Sequence, residues 1–109
     1  MEFEGCIALT KGYLDQQRVE TAVAEKTLEF IEMMQNNNII QPTTFCGSDG
    51  VITIGWPWNQ LYIDIFRDES THELGIEIAQ FSYSADNQES HSPTILSMDE
   101  FKNNYRTVQ

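Results

Sequence analysis

The side chains with the most direct potential for covalent chemistry are one cysteine and two histidines. Cys46 would be a nucleophile, and His72 or His91 its general base, if the fold brought thiol and imidazole together. No spacing in the sequence requires that contact, and a cysteine beside a turn is more often an inert thiol at a strand end. We therefore expect a protein that is not an enzyme.

Metal and cofactor chemistry is not indicated by the pattern of ligands. Neither histidine stands at a metal-ligand spacing from Cys6 or Cys46, and the chain carries no zinc, EF-hand or P-loop motif. We expect no cofactor and no metal. The two cysteines could form a disulfide, whereas a reducing cytosol favours two buried free thiols.

A row of three glutamates offers recognition by charge instead. Glu25, Glu29 and Glu32 are spaced to share one side of a helix, and the ends of the row would lie about 10 Å apart. Such a row can imitate the phosphates that a nucleic-acid-binding groove accepts, as in a DNA mimic. The alternative is an ordinary solvated helix face.

Alternating residues farther along the chain predict a β-sheet with one mixed aromatic and acidic face. Five side chains fall on the side opposite the predicted core: Tyr62, Asp64, Phe66, Glu73 and Glu77. Aromatic anchors flanked by carboxylates suit a partner that carries lysine and arginine. The alternatives are a solvated sheet face or a face covered by the N-terminal segment.

The sequence Trp56-Pro57-Trp58 lies near a predicted hairpin tip. Both indoles are in phase with the apolar side of the strands, which favours a core position for both. Trp58 also lies next to the turn, where it could enter a pocket of a partner, because tryptophan is enriched at binding hot spots. We include Trp58 among the candidate binding residues.

Two helices are predicted around these strands. The first runs from about Asp15 to Asn37, and its apolar stripe consists of Val23, Ala24, Thr27, Leu28, Ile31 and Met34. Asp15 is the expected N-cap, and the asparagines at 36–38 tolerate the left-handed conformation at a helix end. A capping-box pattern at 97–100 predicts a short C-terminal helix through Phe101 and Tyr105. The segment 3–14 fits either a strand or an irregular helix.

Four strands are predicted, over 43–46, 51–58, 61–67 and 74–83, followed by a polar loop over 84–93. A two-residue turn at 59–60 would place Trp58 opposite Leu61 and Trp56 opposite Ile63. Ile65 would then pair with Leu74. The first two strands would be joined by a turn that ends in Asp49-Gly50.

Burying the helix stripe against the apolar sheet face gives the expected architecture. It is an α+β fold in which a four-stranded antiparallel meander packs on one long N-terminal helix, with a short C-terminal helix. Residues 1–109 are expected to form a single domain, because a chain of this length supports one modest core.

The charge of the chain indicates its class of partner. Seventeen carboxylates against six lysines and arginines give a net charge of -11, which repels nucleic acid and anionic lipid and favours positively charged surfaces. The alternative is an acidic protein that is merely soluble. No apolar run approaches the roughly 20 residues of a membrane span, and the N-terminus lacks the features of a signal peptide, which predicts a cytoplasmic location.

The stretch from Leu28 to Phe66 resembles small uncharacterised bacterial proteins that are often encoded beside toxin-antitoxin genes. The resemblance rests on these elements: Leu28-Glu-Phe-Ile, Pro42, Asp49-Gly50, Ile52-Thr-Ile-Gly-Trp56 and Leu61-Tyr-Ile-Asp-Ile. It implies the fold and carries over no functional residue. By size and acidity the chain is also similar to phage-encoded inhibitors of host defence, anti-CRISPR proteins among them.

These observations together predict an acidic inhibitor that binds and blocks a basic surface of a nucleic-acid-handling protein. An anti-CRISPR or other anti-defence inhibitor is the first version, and an antitoxin-like or immunity-type neutralising protein is the alternative. The expected partner is a basic protein, either a nucleic-acid-binding complex or a toxin, without direct contact to nucleic acid or membrane. The protein would act as a monomer or homodimer, in the host cytoplasm if a phage encodes it.

Overall fold

The computed structural model describes residues 3–81 and 93–106, which form three α-helices and one antiparallel sheet. The elements are α1 (Glu4–Asp15), α2 (Thr21–Asn36), β1 (Thr44–Ser48), β2 (Val51–Trp56), a 3₁₀ turn (Pro57–Asn59), β3 (Leu61–Arg67), β4 (Leu74–Gln80), β5 (Thr94–Ile95) and α3 (Met98–Asn104). The strands are ordered β1-β2-β3-β4-β5. The protein is therefore α+β.

The prediction of four strands is wrong, because a fifth strand extends the sheet. In β5, Ile95 pairs with Ala79 and Thr94 pairs with Gln80. Two residues are too few to produce an alternating pattern, so this segment carries no strand signal. Residues 84–92 of the predicted polar loop, and residues 82–83 of the predicted fourth strand, lie outside the described part of the chain.

The prediction of one long N-terminal helix beginning at Asp15 is also wrong. The segment 3–14, which fitted either a strand or an irregular helix, enters the regular 12-residue helix α1 at Glu4, and Asp15 is the last residue of that helix. The chain leaves α1 through Gln17, whose φ is 60°. The Arg18 amide donates to the Tyr13 carbonyl at 2.9 Å and the Gln17 amide to the Leu14 carbonyl at 3.0 Å, the hydrogen bonds of a Schellman end.

Helix α2 begins at Thr21 and presents the predicted stripe to the sheet. Its buried residues are Val23, Ala24, Thr27, Phe30, Ile31 and Met34, while Leu28 is only half-buried. Asn38, with φ 55°, ends the helix in the left-handed conformation, as the asparagine run predicted. The Ile39 amide then donates to the Met34 carbonyl at 2.9 Å, so the chain turns toward the sheet.

The strand pairing differs from the predicted register by two residues. Trp56 pairs with Leu61 and Ile54 with Ile63, because the 3₁₀ turn makes the β2–β3 connection longer than the predicted two residues. Ile65 likewise pairs with Ile76 rather than with Leu74. A shift of two residues keeps the side chains of β2, β3 and β4 on their predicted faces, because side chains alternate with a period of two.

One face of the sheet, the inner face, forms the core. Its fully or almost fully buried side chains are Ile52, Ile54, Trp56, Leu61, Ile63, Ile65 and Ile78. Helix α2 contacts β2, β3 and β4 on this side. Helix α3 joins them through Phe101, whose ring lies 5.5 Å from Trp56 and 5.9 Å from Phe30 between centroids. The predicted capping box is present, with Ser97 and Glu100 exchanging hydrogen bonds of 3.1 and 2.8 Å.

Helix α1 packs on the same inner side, against β1. The Tyr13 hydroxyl donates to the Phe45 carbonyl at 2.6 Å, and the Tyr13 ring lies against Gly47, which pairs with the inner-face residue Ile52. The N-terminal segment therefore does not cover the opposite face of the sheet, which was one alternative for that surface. All three described helices lie on one side.

Candidate protein-binding face

The face of the sheet that turns away from the helices, the outer face, carries the mixed surface that the alternation predicted. Register places three rows of side chains across it, each about 7 Å from the next along the strands. The rows are Tyr62, Ala79 and Ile95; Thr53, Asp64 and Glu77; and Val51, Phe66 and Gly75. The outer face therefore has an acidic row between two apolar rows.

Asp64 and Glu77 form the centre of the outer face. They pair directly across β3 and β4, where two like charges destabilise a sheet. Thr53 donates from its Oγ1 to Asp64 Oδ1 at 2.8 Å, which orients this carboxylate. Within residues 3–81 and 93–106, neither carboxylate forms an ion pair with a lysine or arginine. Their charge is thus available to a cation from outside.

Phe66 flanks the acidic pair on one side because of the glycine opposite it. A Cβ atom added to Gly75 would lie 3.0 Å from Phe66 Cζ, so the phenyl ring lies across the bare β4 backbone. This position keeps the ring half-buried rather than fully solvated. The glycine therefore fixes an aromatic side chain beside Asp64.

Tyr62 and Phe81 flank the acidic pair on the other side. Their rings meet edge to face with centroids 6.2 Å apart, a favourable geometry for aromatic pairs. Both are half-buried, and Ile95 in the same row is 55% exposed. Aromatic and aliphatic side chains therefore lie on both sides of the acidic pair.

Two shallow grooves meet at the acidic pair. The larger, of about 770 Å³, extends from Asp64 and Glu77 past Phe66 to the loop after β3, and the smaller, of about 520 Å³, extends past Tyr62 to Pro93. Asp64 and Glu77 line both. The pair therefore stands where the two grooves adjoin.

The one arginine that lines the larger groove is already engaged. Arg67 binds both carboxylate oxygens of Glu20, with Nε–Oε2 and Nη2–Oε1 distances of 2.9 Å, and donates from Nη1 to the His72 carbonyl at 2.6 Å. The hydrogen bonds from Arg67 hold the pKa of Glu20 below its ordinary value. This contact fastens the α1–α2 connection to the end of β3 and removes a free cation from the groove.

The Glu20–Arg67 pair predicts a pH-dependent contribution to stability. Because the pKa of Glu20 is lowered in the folded state, the contribution is complete above the ordinary glutamate pKa of 4.5 and is lost as the pH falls through the lowered value. Glu20→Gln should therefore lower the melting temperature at pH 7, and this difference from wild type should shrink on acidification below pH about 4. Thermal unfolding followed by circular dichroism measures it.

Glu32→Gln is the matched control for that prediction. It removes the same charge from an exposed position on α2 that has no described ion pair. At pH 7 it should leave the melting temperature unchanged or raise it slightly, since the chain carries surplus negative charge. If Glu20→Gln matched the control at every pH, the ion pair would make no contribution.

The glutamate row of α2 lies on the other side of the molecule. Glu25, Glu29 and Glu32 are exposed on the face of α2 that turns away from the sheet. The Lys26 ammonium lies 4.0 Å from a Glu29 carboxylate oxygen, which partly offsets the charge of the row. One flat partner surface therefore cannot contact this row and the outer face together.

Two further candidates lie at the margins of the outer face. Glu73 is exposed and precedes β4, in a loop where its carbonyl accepts from the Asp68 amide at 2.7 Å. Trp58 lies on the 3₁₀ turn and is 55% exposed, whereas Trp56 is fully buried and donates from Nε1 to the Ile40 carbonyl at 2.7 Å. The core position that the pattern favoured for Trp58 is wrong, because the turn takes this residue out of phase with the strand.

The cysteine and histidine of the enzyme alternative lie far apart. Cys46 is on edge strand β1, and His72 follows β3 in the loop to β4, so strand spacings separate them by on the order of 15 Å. His91 lies outside the described residues. Both cysteines are free thiols, but Cys46 is exposed, so the expectation of two buried thiols is wrong for Cys46. Burial raises the pKa of Cys6, which disfavours its reactive thiolate.

The sequence patterns missed three members of this surface. Thr53 and Phe81 have the correct phase to face outward, so the same alternation could have identified both. Ile95 carried no signal, because β5 has only two residues. The strand register places these residues on the same face of the sheet as Asp64 and Glu77.

No helix in the described ranges is long and apolar enough to cross a membrane, and these residues contain no group of three potential metal ligands. Comparison of the chain with protein-family models, with curated proteins and with solved structures finds no match. The geometry and charge of the chain's own surfaces are therefore what indicate its function.

Proposed function

We propose that the protein is an acidic inhibitor that uses its outer face to occupy a basic surface on a nucleic-acid-handling protein. The observation that carries the proposal is the opposed pair Asp64 and Glu77, which lacks a described cationic partner and lies between half-buried aromatic side chains. A lysine or arginine of a partner would relieve the repulsion between the two carboxylates while its neighbours cover the aromatics.

The net charge of -11 supports the same class of partner. It speeds encounter with cationic proteins and opposes direct binding of nucleic acid. A partner whose basic surface is covered in this way cannot bind its own nucleic acid. The anti-defence inhibitor, including the anti-CRISPR type, and the antitoxin-like neutraliser are two biological settings for this one mechanism, which we place in the cytoplasm.

We favour the outer face over the row of Glu25, Glu29 and Glu32. The row is convex and includes a lysine contact, and a convex charged helix face is commonly just solvated. The outer face has two shallow grooves and combines charge with aromatic anchors, as protein interfaces do. The two surfaces can be tested against each other with variants of equal charge.

The test compares the wild type with D64N/E77Q and with E25Q/E32Q as immobilised baits. Each double variant removes two negative charges, one pair from the outer face and the other from α2. Nuclease-treated lysate of the cells in which the protein acts is applied at low salt and eluted with a salt gradient. We expect wild type and E25Q/E32Q to retain the same basic protein, and D64N/E77Q to retain at least tenfold less.

The retained protein is then assayed for nucleic-acid binding in the presence of each variant. Wild type should block that binding, and the block should weaken steeply between about 50 and 300 mM salt because the contact is electrostatic. Equal retention by all three baits, or a partner whose nucleic-acid binding is unaffected, would contradict the proposal. A loss confined to E25Q/E32Q would instead assign the function to the glutamate row.

The competing hypothesis of a small enzyme is tested separately through Cys46. Cys46 lies opposite Thr53, at the β1 end of the acidic row, so the control is Cys46→Ser, which keeps the size of the side chain and should leave inhibition unchanged. Turnover of a small compound that disappears on alkylation, with the fold intact by circular dichroism, would favour the enzyme.

A further inference from the structure

The rows of the outer face form stripes that run across the strands. The first stripe is apolar, the middle stripe is acidic and the third is apolar again. Surface remains available at both apolar stripes, because Ile95 is 55% exposed and Phe66 is half-buried. A binding partner that complements all three stripes must present apolar, cationic and apolar groups in that order along the strand direction.

The stripes lie on a face of the sheet, where no strand edge offers backbone hydrogen bonds. The bound segment must therefore have a conformation that satisfies its own backbone groups. An extended segment laid on a face would bury its amide and carbonyl groups against side chains without hydrogen-bond partners, which costs free energy. An α-helix satisfies these groups internally, and helices are the usual cover of a sheet face. The outer face is thus suited to a helix.

The spacing of the stripes fits one side of a helix. The two apolar stripes are separated by four residues along a strand, which is about 13 Å. In a helix, positions i−4 and i+4 are separated by eight residues, which is about 12 Å, and share one side with position i. A helix aligned with the strands would place position i over Asp64 and Glu77.

From these observations we propose that the outer face holds an amphipathic α-helix of the partner, with arginine or lysine at position i and apolar residues at i−4 and i+4. This inference rests on the proposed function and specifies which element of the basic partner is bound. Many nucleic-acid-binding proteins insert a basic helix into the major groove, and a helix held on the outer face is removed from that groove.

The test uses synthetic helical peptides of about 18 residues, long enough to hold helical structure in water. The first carries Leu, Arg and Leu at i−4, i and i+4 on an Ala and Gln background. The second has the same composition with Arg moved to i+2, on the opposite side. The third contains a central proline that breaks the helix. Binding is measured by isothermal titration calorimetry at low salt.

We expect the first peptide to bind wild type at least tenfold more tightly than the second or third. D64N/E77Q should lose at least tenfold of this affinity, whereas E25Q/E32Q should lose less than twofold. Ile95→Ser, which removes exposed apolar surface from the first stripe, should weaken binding severalfold without affecting the fold. Circular dichroism of each variant verifies that the sheet is intact.

Equal binding of the first and second peptides would overturn the arrangement of the stripes, and binding of the proline peptide as tight as that of the first would overturn the helix. These outcomes leave the proposed function separately testable. A basic protein retained by wild type but not by D64N/E77Q would still support inhibition through the outer face, with a partner element other than a helix. Specific peptide binding without any retained basic protein would support the helix site and contradict the inhibitory function.

Discussion

Replacing Phe101 by alanine is expected to lower the free energy of unfolding by about 3–5 kcal/mol, the usual cost of deleting a large buried aromatic side chain. Phe101 is fully buried and contacts the rings of Phe30, Trp56 and Tyr105, with centroid distances of 5.5 to 5.9 Å. Its loss opens a cavity where α3, α2 and the sheet meet. Urea unfolding followed by circular dichroism measures the change.

The control for Phe101→Ala is Asn103→Ala, at an exposed position of the same helix. Substitutions at such positions usually change stability by less than about 0.5 kcal/mol. Both variants introduce alanine into α3, so the difference between them measures the loss of packing and not the helix propensity of alanine. A loss under 1 kcal/mol for Phe101→Ala would show that α3 does not pack on the inner face as described.

Replacing Gly47 by valine is expected to destabilise the fold by about 3 kcal/mol, at the upper end of typical overpacking costs. A Cβ atom at this position would lie 2.7 Å from Tyr13 Cγ and Cδ2, so the ring must move away from β1. The hydrogen bond from Tyr13 to Phe45 would then be strained or lost. Strand propensity alone predicts the opposite sign, since valine favours β-structure and glycine does not.

Two further variants test this explanation. Gly12→Ala, in α1, meets no atom within 4 Å and should stabilise the protein by up to about 1 kcal/mol, because alanine favours the helix. The double variant Tyr13→Ala/Gly47→Val should lose less stability than the sum of the two single changes, since the collision is absent. Additive losses, measured by urea unfolding, would contradict a direct contact between Tyr13 and Gly47.

The sequence predicted the local features that depend on side-chain chemistry. The asparagine run placed the left-handed residue Asn38 at the end of α2, and the serine and glutamate of the capping box placed the start of α3. Alternation assigned the buried and exposed faces of β2 and β3. Each feature depends on neighbouring residues, so a local pattern is sufficient.

Features that depend on backbone geometry were not predictable in the same way. The chain leaves α1 through Gln17, which has the left-handed conformation that glycine usually adopts at a helix end. Because glutamine is not a signal for this conformation, the sequence pattern did not indicate the boundary between α1 and α2. The 3₁₀ turn after β2 lengthened a connection that the pattern fixed at two residues. Fold topology, rather than composition, determined both outcomes.

The candidate site was predicted in part. Tyr62, Asp64, Phe66 and Glu77 were placed on one face by alternation alone, and the structure brings all four onto the outer face. The direct opposition of Asp64 and Glu77 depends on the β3–β4 register, which was predicted two residues away. The proposed binding of a cation depends on this opposition of two carboxylates. The opposition could be recognised only from the strand pairing.

The period of two that preserved both faces despite the altered register also bears on how this sheet can evolve. A deletion or insertion of one residue within β3 would send the isoleucines that follow it to solvent and the polar residues between them into the core. A change of two residues would slide the strand and leave both faces with their own side chains. Within β3, related chains should therefore vary in length by even numbers.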